Sequence, residues 1–179
     1  MSLDPTPTLD ALFAAAPETF GADLTAYRNH CARVVHFARA LAPTPPALHP
    51  RIEVAAFFHD VGIWTDRTWD YLPPSIARAI THLRARGLDD WTADVEGMIA
   101  CHHQLTDAGR HGALVEAFRR ADLVDVSLGA IRFGLPSPFV AAVRASFPNA
   151  GFHRRLLELA AGWVWRHPLD PMPMMRWSS

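Results

Sequence analysis

The stretch AAFFHDVGIW, residues 55–64, places an imidazole beside a carboxylate at the end of an apolar run. Burying either group without a partner is costly, so His59 and Asp60 need a partner that suits both. A divalent cation is such a partner, because neutral imidazole and carboxylate are both good metal ligands. The first question is therefore whether other parts of the chain supply further ligands of the same kind.

Two other predicted helices also carry a polar group on their apolar face. His30 lies one turn before Val34 on one helix, and Asp122 lies one turn after Phe118 on another. Asp125 shares the face of Asp122, so the spacing alone does not separate the two aspartates. A cation between three helices would satisfy these groups together. We therefore predict a bound divalent metal ion, with Mn, Fe, Co, Ni, Zn or Mg as candidates.

The chain has ten histidines, and three more of them are candidate ligands. His82 lies on the predicted fourth helix. His102 and His103 end the fifth helix, four residues past Met98 and Ile99 respectively, so the pattern leaves open which of them faces the core. The remaining five histidines lie at polar faces or helix ends and are expected at the surface: His36, His49, His111, His153 and His167.

Nearly every segment has the helical period of apolar residues, and no segment alternates as a strand would. We therefore predict an all-α fold with helices at about 8–16, 22–42, 50–61, 75–87, 90–104, 113–129, 137–146 and 151–166. Gly62 is predicted to end the third helix and Ser75 to cap the fourth. The aromatic-rich loop 64–74 is a candidate lid or substrate wall, and residues 168–179 are expected to pack loosely.

The composition of the chain limits the classes of partner that it is expected to bind. The 179 residues suit one domain, half of them are apolar, and the net charge is −1. This balance argues against a nucleic-acid polymer or an anionic membrane. With a polar, acidic start and only short apolar runs, the chain is expected to be cytoplasmic, to act on a small molecule and to be a candidate homodimer. Cys31 and Cys101 are expected in the core of a protein from a reducing compartment.

Four stretches together resemble a known family: YRNHCARVVHFA, AAFFHDVG, IACHHQ and RRADLVDVS, from about residue 25 to 130. In this order they look like the HD-domain superfamily of metal-dependent phosphohydrolases. The resemblance implies a compact bundle with a five-helix core over about 22–130 and additional C-terminal helices over about 136–167, within one domain of residues 1–179. It also implies that His30, His59, Asp60 and Asp122 ligate one metal. Asp122 is favoured over Asp125 because the family's aspartate follows a small residue.

The resemblance extends to a second metal and to a reaction. His82 and either His102 or His103 occupy the places of the family's further ligands, with Asp60 as the bridging carboxylate. The implied activity is hydrolysis of a small phosphate ester, with a nucleotide as one candidate, by metal-activated water. Asp60 and His59 would be the catalytic residues, with Asp60 helping to deprotonate that water. The chain has no lysine, so Arg28, Arg33 and Arg67 are the candidates for holding the phosphate.

Departures from the family keep other functions open. Two phosphohydrolase branches carry Lys or Glu three residues after the dipeptide's aspartate, where this chain has Ile63, and the Gly-Tyr-Pro signature of one branch is missing after CHHQ. The first alternative is therefore a diiron oxygenase or a hydratase of the same superfamily that acts on a small non-phosphate substrate. The second alternative is a binding module that holds a metal or ligand without catalysis.

Overall fold

Helices make up all the regular secondary structure of residues 3–42 and 45–175, which are the residues that this computed structural model describes. This confirms the predicted all-α class. Eight α-helices have nine or more residues and two have four. Their bounds are α1 (Pro7–Ala15), α2 (Pro17–Phe20), α3 (Leu24–Leu41), α4 (His49–Phe58), α5 (Gly62–Thr65), α6 (Leu72–Arg84), α7 (Thr92–Cys101), α8 (Ala113–Val126), α9 (Ser137–Ser146) and α10 (Phe152–Arg166).

The centre of the bundle consists of α3, α4, α6, α7 and α8. Helix α3 packs against α4 and α8, while α7 packs against α4, α6 and α8. Residues 52–58 of α4 are all buried because this segment is apolar on most of its sides. Cys31 and Cys101 are buried in this core, as predicted. The described helices include none that is both long and apolar enough to cross a bilayer.

The end of α4 differs from the sequence prediction. Helix α4 ends at Phe58, a turn follows, and Gly62 begins the short helix α5 instead of ending a helix. A β-carbon on Gly62 would lie 2.7 Å from the carbonyl oxygen of Tyr71, so only glycine fits this close approach. Ser75 does not cap α6, which begins at Leu72; its buried hydroxyl instead accepts a hydrogen bond from the Gly62 amide at 3.0 Å. These contacts hold the turn that carries His59 and Asp60 against the start of α6.

The predicted surface position of His36 is wrong. Its side chain lies inside the molecule, with 5% of the residue exposed, and its ring stacks on Phe147 at 5.3 Å. Burial, together with the charge of Arg39, lowers the pKa of His36 to about 4. Phe147, the residue after α9, covers the side of α3 on which His36 lies, a side that the sequence pattern predicts to be exposed. Of the other four histidines expected at the surface, His111 and His167 are exposed, while His49 and His153 are half-buried.

A second, smaller apolar cluster lies beside the main core. Ile63, Trp69, Tyr71 and Met174 are its buried members, and one face of α10, which includes Trp163, packs on it. Met174 shows that part of the C-terminal segment packs firmly, contrary to the loose packing predicted for 168–179; residues 176–179 lie outside the described residues. The cluster holds the segment between α5 and α6 in place, and that segment brings Tyr71 to the histidines at the end of α7.

Candidate metal centre

Side chains from four parts of the bundle form one buried cluster. Helix α3 supplies His30, the turn after α4 supplies His59 and Asp60, the residue after α7 supplies His102, and α8 supplies Asp122. Each residue is at most 4% exposed. They meet because α3 and α7 both pack against α4 and α8. Five polar side chains buried together, of which two are acidic, need a common partner.

The distances between the facing atoms are short. The Nε2 atoms of His30 and His59 are 2.9 Å apart, and His30 Nε2 is 3.6 Å from Asp122 Oδ1. His59 Nε2 is 3.2 Å from Asp60 Oδ2, and His102 Nε2 is 3.4 Å from Asp60 Oδ1. The possible ligand atoms form overlapping groups of three, in each of which all atoms lie within 4.8 Å of one another. This is the spacing expected of ligands around one or two ions.

The other nitrogen of each ring reveals the tautomer. Nδ1 of His59 lies 2.7 Å from the carbonyl oxygen of Ala56, and Nδ1 of His102 lies 2.7 Å from that of Ile99. Nδ1 of His30 lies 2.7 Å from Oδ2 of Asp125. These oxygens accept hydrogen bonds, so we assign the proton of each neutral ring to Nδ1 and the free electron pair to Nε2. Three electron pairs therefore point into the cluster, as in histidines that ligate metals.

Two buried polar atoms of the cluster have no hydrogen-bond partner among the described residues, namely Asp60 Oδ1 and His102 Nε2. Burial lowers the pKa of His30 to about 4, so this ring is neutral at pH 7 and suited to ligation. Burial opposes the charge on Asp60, but the neighbouring rings of His59 and His102 outweigh it and hold the pKa of Asp60 well below its usual range. An anionic carboxylate, neutral imidazoles and unpartnered buried acceptors fit a divalent transition-metal ion.

The structure separates the two aspartates of α8. Asp125 lies behind His30 and accepts hydrogen bonds from Arg33, whose Nε is 2.5 Å from Oδ1 and whose Nη2 is 2.8 Å from Oδ2. Burial opposes its charge, but Arg33 and His30 hold the pKa of Asp125 well below its usual range. Asp122 has no such cation, and burial raises its pKa to about 7, with a further contribution from the charge of Asp60. Asp122 is thus the candidate ligand of α8, whereas Asp125 orients His30.

Of the histidines considered for a second metal, two reach the cluster. His102 faces Asp60, and His103 forms a further group of possible ligands with His102 and Asp122. His103 Nε2 is also hydrogen-bonded to the hydroxyl of Tyr71. His82 lies outside these groups, because its half-buried ring packs against Phe58, at 5.1 Å, beside a different cavity.

The three arginines predicted to hold a substrate phosphate lie in different environments. Arg33 is 2% exposed and committed to Asp125, so the structure contradicts its expected role in substrate binding. Arg28 is exposed and pairs with Asp10 at 2.6 Å. Arg67 makes no ion pair or hydrogen bond within the described parts of the chain, and it lines a cavity next to α10. The sequence feature that indicates a role for Arg33 beside the candidate ligands is its position one turn after His30 on α3.

The centre is enclosed by aromatic rings. Phe152, at the start of α10, stacks on His30 with the ring centroids 4.1 Å apart. Tyr27 packs beside His59 at 5.9 Å; its hydroxyl donates to the carbonyl of Phe57 at 2.8 Å and lies 3.3 Å from the Asp60 amide. A metal here would be shielded from bulk water, which strengthens its electrostatic effect on a bound group.

This arrangement could bind a divalent ion and place a carboxylate beside a water or substrate oxygen that the ion activates. Such a centre supports hydrolysis, hydration or, with a redox metal, oxidation. Comparison of the chain with protein-family models, with curated proteins and with solved structures found no match.

Proposed function

We propose that the protein is a metal-dependent phosphohydrolase of the HD-domain type that acts on a small phosphate ester. One observation carries the proposal: the Nε2 atoms of His30, His59 and His102 each lie within 3.6 Å of a carboxylate oxygen of Asp60 or Asp122. The order of these residues along an all-helical chain, with an adjacent His-Asp pair, supports the HD-type assignment.

His30, His59, Asp60 and Asp122 would hold the ion, and His102 offers a further nitrogen. A bound divalent ion would polarise a phosphoryl oxygen and lower the pKa of a water molecule toward neutrality. Asp60 Oδ1 is buried and accepts no hydrogen bond among the described residues, which supports assigning it the role of taking a proton from the attacking water. The water oxygen would bond to phosphorus, the ester P–O bond would break, and the leaving oxygen would take up the proton that Asp60 accepted from the water.

The residues behind the ligands keep them in their protonation states. The carbonyls of Ala56 and Ile99 and the carboxylate of Asp125 each hold one Nδ1 proton, so Nε2 stays free for the ion. Such outer contacts typically contribute 10- to 100-fold to metal affinity. Arg33 in turn fixes the orientation of Asp125 through two hydrogen bonds.

The test is elemental analysis of protein purified without chelator, followed by assays on a panel of phosphate esters with added Mn²⁺, Co²⁺ or Mg²⁺. We expect one or two metal ions per chain, and we expect His59→Ala and Asp60→Ala to lose both the metal and the activity. His111→Ala, which removes an exposed histidine, is the matched control and should retain both. Full metal content in Asp60→Ala, or no hydrolysis of any ester by the metal-loaded wild type, would overturn the proposal.

A diiron oxygenase or hydratase is the second candidate, and two observations favour it. His102, His103 and Asp122 could hold an ion next to the first one. Ile63, which stands where phosphohydrolase branches carry Lys or Glu, is buried in apolar surroundings and offers no polar group to a phosphate. Two iron ions per chain together with oxygen-dependent turnover would select the oxygenase, whereas oxygen-independent ester hydrolysis would select the phosphohydrolase.

A further inference from the structure

A separate cavity of about 870 Å³ lies between α10 and the segment that follows α5. Its volume is within the range of small-molecule sites, about 300–1,000 Å³. Three tryptophans line it: Trp64, Trp69 and Trp163. Indole rings in a cleft offer flat apolar surfaces on which a planar ring can stack. The cavity contains none of the proposed metal ligands.

The side chains that line this cavity carry more positive than negative charge. The lining carries four guanidinium groups, Arg67, Arg154, Arg155 and Arg166, and three carboxylates, Glu18, Asp23 and Glu158. Arg155 neutralises Asp23 at 2.9 Å and also lies 3.6 Å from Glu158, while the exposed Arg154 lies 3.7 Å from Glu158. These ion pairs neutralise Asp23 and Glu158 and leave two of the four arginines without an ion pair among the described residues.

Arg67 and Arg166 are those two cations. Arg166 donates to the carbonyl of Gly162 in its own helix at 2.9 Å and makes no ion pair within the described residues. Arg67 has neither an ion pair nor a hydrogen bond there, and its backbone is left-handed, with φ of 52°. That conformation is uncommon for a residue other than glycine and is strained. A strained, unpaired arginine at the edge of an aromatic cavity gives an anionic group a donor with several N–H bonds.

The cavity also adjoins the metal centre. Trp64 lines it and lies 4.4 Å from the ring of Tyr27, which in turn packs against His59. Asp23 receives hydrogen bonds from Trp64 Nε1, at 3.0 Å, and from Arg155, so this wall is tied to α10. One layer of side chains thus separates the cavity from the histidine cluster.

We infer that this cavity is a second binding site, for an organic anion that carries a flat apolar ring. The tryptophans hold the ring, and Arg67 and Arg166 hold the anionic group, which is a carboxylate or a phosphoryl group. The site does not depend on the reaction at the metal centre, because it uses none of the residues proposed to bind the ion.

The test is calorimetric titration of the protein as purified with four probes: 1-naphthoate, 1-naphthylphosphonate, 1-naphthol and inorganic phosphate. None of them is a phosphate ester, so hydrolysis does not interfere. At least one of the two ring-bearing anions should bind tenfold or more tightly than both the neutral ring and inorganic phosphate. The preferred anion then tells whether a carboxylate or a phosphoryl group is recognised. Equal binding of naphthol and both anions, or no binding of either anion, would overturn the inference.

Variants locate the site. Arg67→Gln and Trp163→Leu should each weaken binding of the preferred probe fivefold or more, whereas Arg84→Gln and Trp91→Leu, outside the cavity, should not. Because Trp163 also packs in the second apolar cluster, circular dichroism must show that its variant is folded; Arg67 has no such packing role. Binding that disappears in Asp60→Ala but persists in Arg67→Gln would place the probe at the metal centre and refute the inferred site.

Discussion

Replacing Asp122 and Asp125 in turn by asparagine should change the stability of the metal-free protein in opposite directions. The two residues lie one turn apart on α8, both are buried, and the substitutions are isosteric. Asp122 faces the imidazole of His30 and has no arginine partner among the described residues, whereas Asp125 is paired with Arg33 and His30. The chemistry of the two substitutions is therefore the same, and only the surroundings differ.

For Asp122 the magnitude follows from its pKa. Burial raises this pKa from 3.8 to about 7, so the folded state binds the proton more tightly than the unfolded state. The carboxyl group costs no stability below pH 3.8, an increasing amount as the pH rises, and its full amount above pH 7. At about 1.4 kcal/mol per pH unit the full cost is about 4 kcal/mol. Asp122→Asn should therefore raise the free energy of unfolding at pH 8 by up to that amount and leave it nearly unchanged at pH 4.

For Asp125 the sign is reversed. Its pKa is held low in the folded state, so its contribution to stability is present above the ordinary pKa of an aspartate and is lost as the pH falls. Removing one member of a buried ion pair leaves the other charge uncompensated and typically costs about 3–5 kcal/mol. Asp125→Asn should lower the free energy of unfolding at pH 8 by about this amount because Arg33 stays buried.

The assay is urea unfolding of wild type and both variants at pH 8 and pH 4, after treatment with chelator and followed by circular dichroism. Titration with Zn²⁺ or Mn²⁺ then measures the metal affinity. Asp122→Asn should lose most of it, and Asp125→Asn should lose 10- to 100-fold. A large destabilisation of the metal-free protein by Asp122→Asn at pH 8, equal to that by Asp125→Asn, would refute the assignment of ligand and orienting residue.

Two further predictions concern the frame around the site. Hydrogen bonds from Arg119 and Arg120 lower the pKa of Glu116 from 4.5 to about 2. The stabilisation that this carboxylate provides is therefore present above pH 4.5 and lost as the pH falls. Glu116→Gln should lower the free energy of unfolding at pH 7 by up to about 3 kcal/mol and have no effect near pH 2. Urea unfolding across pH 2–7 checks this, and a pH-independent difference would contradict it. Gly62→Ala should destabilise the protein by about 1–3 kcal/mol and reduce its metal content, because the added methyl group would clash with the backbone of Tyr71. An unchanged melting temperature would contradict this prediction.

The helices follow from local information in the chain. The 3.6-residue period of apolar side chains predicts all eight of the longer helices, and α9 is found at its predicted bounds. The same period shows that His30 and Asp122 lie on apolar faces, and it places His59 and Asp60 at the end of the most buried helix. These residues were identifiable because a polar group interrupts an otherwise regular pattern.

Other features depend on contacts between helices, which a period cannot supply. His36 is buried because Phe147, more than a hundred residues later, covers it. Ser75 receives the amide of Gly62 and not an amide of its own helix. His82 lies on a suitable helix but faces away from the cluster, toward Phe58.

The apolar periodicity of the chain is enough to predict the all-helical class, the eight longer helices and the four residues that interrupt the apolar pattern. The packing of the helices is needed to show that Asp122 faces His30 while Asp125 pairs with Arg33, and that both His102 and His103 reach the cluster. The physical reason is that periodicity gives the side of a helix on which a residue lies, to within about 100°. The partner that a side chain meets depends on how that side packs against residues distant in the chain.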